Sequence, residues 1–188
     1  MTAHHNVAGS AQLRGHNLFL ALKPPPAVAG EIGGLRDRLG GAKPMGDDRL
    51  HLTLRMLHRG AAPPPADMQA ILCDAMTALT AEAFELSFDR FGANGETIAL
   101  FPGQGRSGLR RLRRQIDLLI ERAGLRRGVP SNFNPHMTLF YAPAAIGRER
   151  IAPIGWHADE IALIHSLVGL AQHVPLGRWP LVEQLRLL

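Results

Sequence analysis

One tetrapeptide pattern occurs twice in the chain, as His51-Leu52-Thr53-Leu54 and His136-Met137-Thr138-Leu139. Around each copy the chain alternates or runs apolar, which reads as a β-strand, and on a strand residues i and i+2 share a face. His51 and Thr53 therefore point one way while Leu52 and Leu54 enter a core. His136 and Thr138 do the same, backed by Met137 and Leu139. Each strand follows a segment of helical periodicity, and the two histidines lie 85 residues apart. The pattern predicts two similar half-units that present matched imidazole and hydroxyl pairs to one cleft. A helical bundle could not carry it.

The rest of the chain supports a mixed class. Residues 17–22 read as a short buried strand stopped by Pro24, Pro25 and Pro26. Val28, Ile32, Leu35 and Leu39 recur at helical spacing until Gly40 and Gly41 end the run. A second helix is expected over 66–79 and a third over 107–123. Residues 84–91 alternate strictly, and the Asn94-Gly95 turn joins them to a partner strand over 97–101. After a loop over 128–134 come the strand 136–141 and two closing strands over 160–170 and 173–181. The expected class is α+β, with two pseudo-symmetric lobes whose antiparallel-rich sheets face a central cleft and whose helices lie outside. Residues 1–15 are expected to form a flexible N-terminal tail, and 16–188 a single bilobal domain.

Composition excludes several classes. At 188 residues, 46% hydrophobic and 20% charged, the chain can bury one core and is neither disordered nor collagenous. No apolar run reaches the roughly 20 residues of a membrane helix, and the polar N-terminus lacks a secretory core, so a cytoplasmic protein without membrane contact is expected. Cys73 is the sole cysteine, which excludes an intrachain disulfide and a cysteine metal cluster. Lys and Arg number 21 against 16 Asp and Glu, and all but Lys23 and Lys43 of the 21 are arginine. Arginine's planar fork suits phosphate, although a coding bias toward G and C yields the same excess.

The repeated pair has a definite chemistry. A neutral imidazole can take a proton from an attacking water or hydroxyl, while the opposite imidazolium protonates a leaving oxygen. Two threonine hydroxyls can hydrogen-bond phosphoryl oxygens as charge builds on them. Each acid or base contributes about 10²–10⁴-fold, enough together for a strained cyclic phosphate with no metal and no cofactor. His51 and His136 are thus the candidate catalytic residues, and Thr53 and Thr138 candidate phosphate ligands. Arg55 joins them by alternation, two residues beyond Thr53.

The chain resembles the two-histidine (2H) phosphoesterase superfamily, whose mark is a pair of His-x-Ser/Thr motifs. Within it the chain is most similar to the LigT-like RNA 2′,3′-cyclic phosphodiesterases, also called 2′-5′ RNA ligases. The resemblance runs from the strand and proline stop at 18–25, through the Leu50–Leu54 and Asn134–Leu139 segments, to the Leu176-Gly177-Arg178-Trp179-Pro180-Leu181 ending. It implies the bilobal fold, hydrolysis of 2′,3′-cyclic phosphate ends of RNA or nucleotides to 2′-phosphomonoesters, and 2′-5′ ligation. It assigns His51 as proton donor and His136 as acceptor, and a monomer is expected. One departure stands out: Tyr141 occupies the place, five residues after the second histidine, where the family commonly has arginine. Other members of the superfamily act on 2′-5′ oligoadenylate or on ADP-ribose cyclic phosphate, and a non-catalytic RNA-binding module is the alternative from another class.

Two further motifs compete for attention. Gly103-Gln104-Gly105-Arg106-Ser107-Gly108 matches the dinucleotide-binding glycine pattern, but no acidic residue follows about 20 positions on, where Arg126 and Arg127 stand. A plain strand-to-helix connection is the better reading. Arg110, Arg111, Arg113 and Arg114 read as a solvated basic face, or as a rail for an RNA backbone. His58, His157, His165 and His173 lack metal-ligand spacing and are expected to be structural.

Overall fold

The computed structural model describes residues 12–125, 133–142 and 146–183. Most of the expected tail and most of the loop over 128–134 lie outside them. Eight strands, β1 (Gly15–Leu22), β2 (Leu52–Gly60), β3 (Phe84–Asn94), β4 (Thr97–Gln104), β5 (Met137–Tyr141), β6 (Glu149–Ala158), β7 (Glu160–Val168) and β8 (Gln172–Pro180), form one curled antiparallel sheet. The helices are α1 (Pro26–Leu39), α2 (Ala66–Met76) and α3 (Arg106–Arg122), and none is long and apolar enough to cross a membrane.

The strand order β6-β3-β4-β5-β2-β1-β7-β8 divides into mirrored halves. In each half a strand, a helix and a second strand follow in sequence: β1-α1-β2 in one and β4-α3-β5 in the other. Each motif strand pairs antiparallel with the strand before its helix, and the two motif strands pair with each other at the single register pair Leu52–Met137. The two expected lobes therefore share one sheet, narrowest at the two motifs.

The two sheet faces differ. Leu18, Leu20 and Leu22 of β1 join Leu52, Leu54, Phe88, Leu100 and Leu139 in the main core, where Ile32, Leu72, Met76, Leu109, Leu112 and Ile116 of the helices cover them. The other face holds a small cluster of Phe19, Ala21, Ala162 and Ile164. α1 begins with proline at its first turn, where the missing N–H costs nothing, and ends at Gly40 in the left-handed region. Strand β6 is absent from the sequence reading. Pro153 and Gly155 interrupt its alternation and only Ile154 and Ala158 are buried, a composition that an edge strand tolerates.

The glycine pattern at 103–108 serves packing, as the strand-to-helix reading expects. Gly105 takes φ 86° at the start of α3, and a Cβ on Gly108 would strike the Phe84 ring at 2.5 Å. The strand it leaves is antiparallel, unlike the parallel strand of a dinucleotide fold.

Candidate active site

Strand pairing alone brings the repeated motifs together. Leu52 pairs with Met137. Continued one residue each way, that antiparallel register sets His51 beside Thr138 and Thr53 beside His136. All four side chains are half-buried on the face away from the helices, while Leu52, Leu54, Met137 and Leu139 are buried behind them.

The two rings are held identically. His51 donates from Nδ1 to the Arg49 carbonyl at 2.7 Å, and His136 from Nδ1 to the Asn134 carbonyl at 2.7 Å. A carbonyl only accepts, so the Nδ1 proton is fixed in both rings and Nε2 is the nitrogen that gains or loses a proton. In each case the acceptor lies two residues upstream of the histidine. The repeat therefore extends to backbone that the tetrapeptide does not include.

His51 also has a wall of rings. It stacks on Phe19 at 4.7 Å between centroids and meets His173 edge-on at 5.1 Å. Burial, and then the charges of Lys23, His136 and Arg49, push His51 down to about 4, against the raising effect of its bond to Arg49. His173 is pushed down to about 3 by burial and by His51, Lys23 and Arg49. Its Nδ1 is buried without a hydrogen-bond partner among the described residues. Lys23 stands one residue past the Leu22–Leu52 pair and donates from Nζ to the Asp48 carbonyl at 2.5 Å. Burial lowers it too, Asp48 raises it and Arg178 lowers it. The surroundings of His51 are thus both desolvated and positive, an environment in which an anion is favoured.

The sequence reading missed three of these neighbours. Phe19 and Lys23 were legible in principle, because alternation along β1 puts Phe19, Ala21 and Lys23 on one face. His173 was not. It lies on β8, which two strands separate from β2, so only the curl of the sheet brings it to His51. The other three histidines expected to be structural each have a partner elsewhere. His58 bonds the Ala62 carbonyl, His157 bonds Glu85, and His165 bonds His16.

Arg55 is not brought to the site. The β1–β2 register slips after the Ala21–Thr53 pair, so that Leu20 pairs with Arg55 and Leu54 is the extra residue of a bulge. The bulge inverts the alternation and turns Arg55 to the helix-covered face. There it is 5% exposed, with Nε 3.4 Å from Asp117 of α3. The second motif repeats the device. The register slips between Thr138 and Phe140, Leu139 is the extra residue, and Phe140 enters the core. Tyr141, which follows, pairs with Thr97 and is 51% exposed. Arg113, expected on a solvated face, is likewise buried. It donates to Asp117 at 2.9 Å and to the carbonyl of the bulge residue Leu54 at 2.5 Å. Arg110, Arg111 and Arg114 remain exposed.

The fold is shared with solved structures of low identity. Escherichia coli LigT complexed with ATP superposes with a TM-score of 0.73 at 23% identity, over 89% of this chain and 98% of that one. LigT complexed with 3′-AMP gives 0.75 at 24%, over the same shares. The protein TT0787 of Thermus thermophilus gives 0.66 at 22%, over 88% and 97%. Among curated protein sequences none matches the chain. The model of one sequence family does, over residues 24–169, a span that contains both motif strands, both bulges and the two rings fixed through Nδ1. By that match and by its fold, the chain belongs to the 2′-5′ RNA ligase superfamily, as a LigT-like two-histidine phosphoesterase.

Proposed function

We propose that this protein opens 2′,3′-cyclic phosphate ends of RNA or nucleotides to 2′-phosphomonoesters, by proton transfer between His51 and His136 and without a metal. The observation that carries the reading is the matched pair of Nδ1–carbonyl bonds, which dedicates Nε2 of each ring to proton exchange beside a threonine hydroxyl. One imidazole takes a proton from water as the water oxygen bonds to phosphorus. The P–O3′ bond breaks, and the other ring gives its proton to O3′. Thr53 and Thr138 donate to the non-bridging oxygens, and Lys23 supplies fixed positive charge. With a 5′-hydroxyl in place of water, the same transfers yield a 2′-5′ linkage.

The roles follow the family resemblance, with His51 as donor and His136 as acceptor. That assignment sets a condition. In the free protein His51 is pushed down to about 4 and is neutral at pH 7. The negative charge of the bound phosphate must offset the burial of the ring first, and then the charges of Lys23, His136 and Arg49, to bring the proton on.

The test is hydrolysis of adenosine 2′,3′-cyclic phosphate in EDTA, with the products separated by chromatography. The 2′-monophosphate is expected. His51→Ala and His136→Ala should each lose about 10²–10⁴ in kcat with the circular dichroism spectrum unchanged. Near-normal turnover in either variant, or activity lost in EDTA and restored by a divalent ion, would overturn the reading.

A further inference from the structure

We propose that a second pocket, on the His136 side of the site and lined by Arg106, Arg110 and Arg148, binds the internucleotide phosphate one nucleotide upstream of the cyclic end. This deepens the reading above and rests on it. The pocket has a volume of about 300 Å³ and is lined by Phe101, Arg106, Arg110, Phe133, Pro135 and Arg148 among others. That is the lower end of the ~300–1,000 Å³ range of ligand sites. It adjoins the catalytic ring in two ways. Pro135 directly precedes His136, and the register that pairs Leu100 with Met137 sets Phe101 beside His136.

Its chemistry is that of a phosphate with an attached sugar or base. Three guanidinium groups converge from two separate elements, Arg106 and Arg110 from α3 and Arg148 from the segment before β6. None of the three makes an ion pair among the described residues, although Arg106 donates to the Pro102 carbonyl at 2.7 Å. Arg106 and Arg110 stand at the start of α3, where positive charge opposes the helix dipole and no acidic residue offsets it. Three positive charges around one concave pocket favour an anion there. Arg148 lies over the Phe101 ring at 4.0 Å. A guanidinium stacked in this way is held in orientation and keeps its in-plane N–H groups for bidentate contact with phosphate. Phe133 and Pro135 give the apolar wall that a base or ribose can pack against.

The experiment compares adenosine 2′,3′-cyclic phosphate with the dinucleotide ApA ending in the same cyclic phosphate. Wild-type protein should show a KM for the dinucleotide lower by roughly tenfold or more, the scale of one or two charge-assisted hydrogen bonds. The Arg106→Gln/Arg148→Gln double variant should lose that advantage through KM, with kcat/KM on the mononucleotide unchanged. An undiminished advantage in the variant, or an equal loss on both substrates, overturns the pocket. If wild type turns over neither substrate, the proposed activity fails and the pocket is read separately, by calorimetric binding of uncyclised ApAp against AMP. Tighter binding of ApAp that the double variant abolishes supports it. Equal affinity of both proteins for ApAp overturns it.

Discussion

The two motif histidines share a sequence context and a hydrogen bond but not an environment. His51 is packed between Phe19 and His173 beside Lys23, whereas His136 stacks on no ring among the described residues. A group held at about 4 in the free protein is neutral at pH 6. If the bound phosphate raises it, binding must take up a proton. Calorimetric titration with 3′-AMP at pH 6, in buffers of different ionisation enthalpy, should therefore show a net proton uptake larger in the wild type than in His51→Gln, the difference cancelling the protons that the phosphomonoester itself exchanges. Equal net uptake in the two proteins would exclude His51 as the donor. His173 meets His51 edge-on, and the expected consequence is that it positions that ring. His173→Phe should keep the edge-on contact and most of kcat. His173→Ala should lose about tenfold or more in kcat with KM little changed, since small misplacements of a catalytic group cost this much. A pH profile that shifts with the Ala variant and not with the Phe variant would separate positioning from a loss of stability.

At the scale of elements, the paired bulges at Leu54 and Leu139 decide which residues reach the site. Each follows its threonine directly and sends the next side chain, Arg55 or Phe140, to the helix-covered face. Arg113 secures the first bulge from α3 by donating to the Leu54 carbonyl, and so ties the helix of one half to the motif strand of the other. Arg113→Ala leaves that carbonyl without its donor and should destabilise the protein by about 1–3 kcal/mol, measured by urea unfolding. Activity should fall with it, because Thr53 adjoins the bulge. A second contact spans the halves. Gly41, just past the end of α1, lies so close to β5 that a Cβ would stand 1.9 Å from the Phe140 ring. Gly41→Ala should therefore lower stability by about 1–3 kcal/mol through overpacking. An unchanged melting temperature would show that Phe140 can move aside.

Over the whole molecule, His51, His173 and His165 have lowered pKa values, and they set a direction for acid stability. Burial is the first cause for all three, and the His16 and His58 charges add to it at His165. The unfolded chain takes up protons on these rings near ~6.5, while the folded chain does so only at lower pH. Their neutral forms thus contribute stability that is complete above about pH 6.5 and lost as the pH falls toward 4. His157 is raised, first by its hydrogen bond to Glu85, and so has the opposite sign on an exposed edge. The melting temperature should fall between pH 6.5 and 4, less steeply in His173→Phe than in wild type. Equal slopes would remove His173 from this account. The His16–His165 bond, 2.9 Å between Nδ1 and Nε2, adds to the effect, because one of its two nitrogens must be unprotonated to accept.

The amino-acid sequence by itself determined the class of fold, the two motif strands and the catalytic candidates. Local alternation decides which face a strand side chain takes, and a pattern used twice implies a site with two sides. It equally determined that the 103–108 glycines form a plain strand-to-helix connection, since no acidic residue follows about 20 positions on, while the packing of Gly103, Gly105 and Gly108 against β3 is tertiary. Three further things were decided only by the tertiary structure. The β6 edge exists because β3 pairs with it, despite Pro153 and Gly155. The inward turn of Arg55 comes from a register slip against β1, and alternation within β2 cannot encode a slip against another strand. The place of His173 comes from the curl of the sheet, which sums small twists over many strands. Those are long-range consequences of pairing, and no window of sequence around the residue carries them.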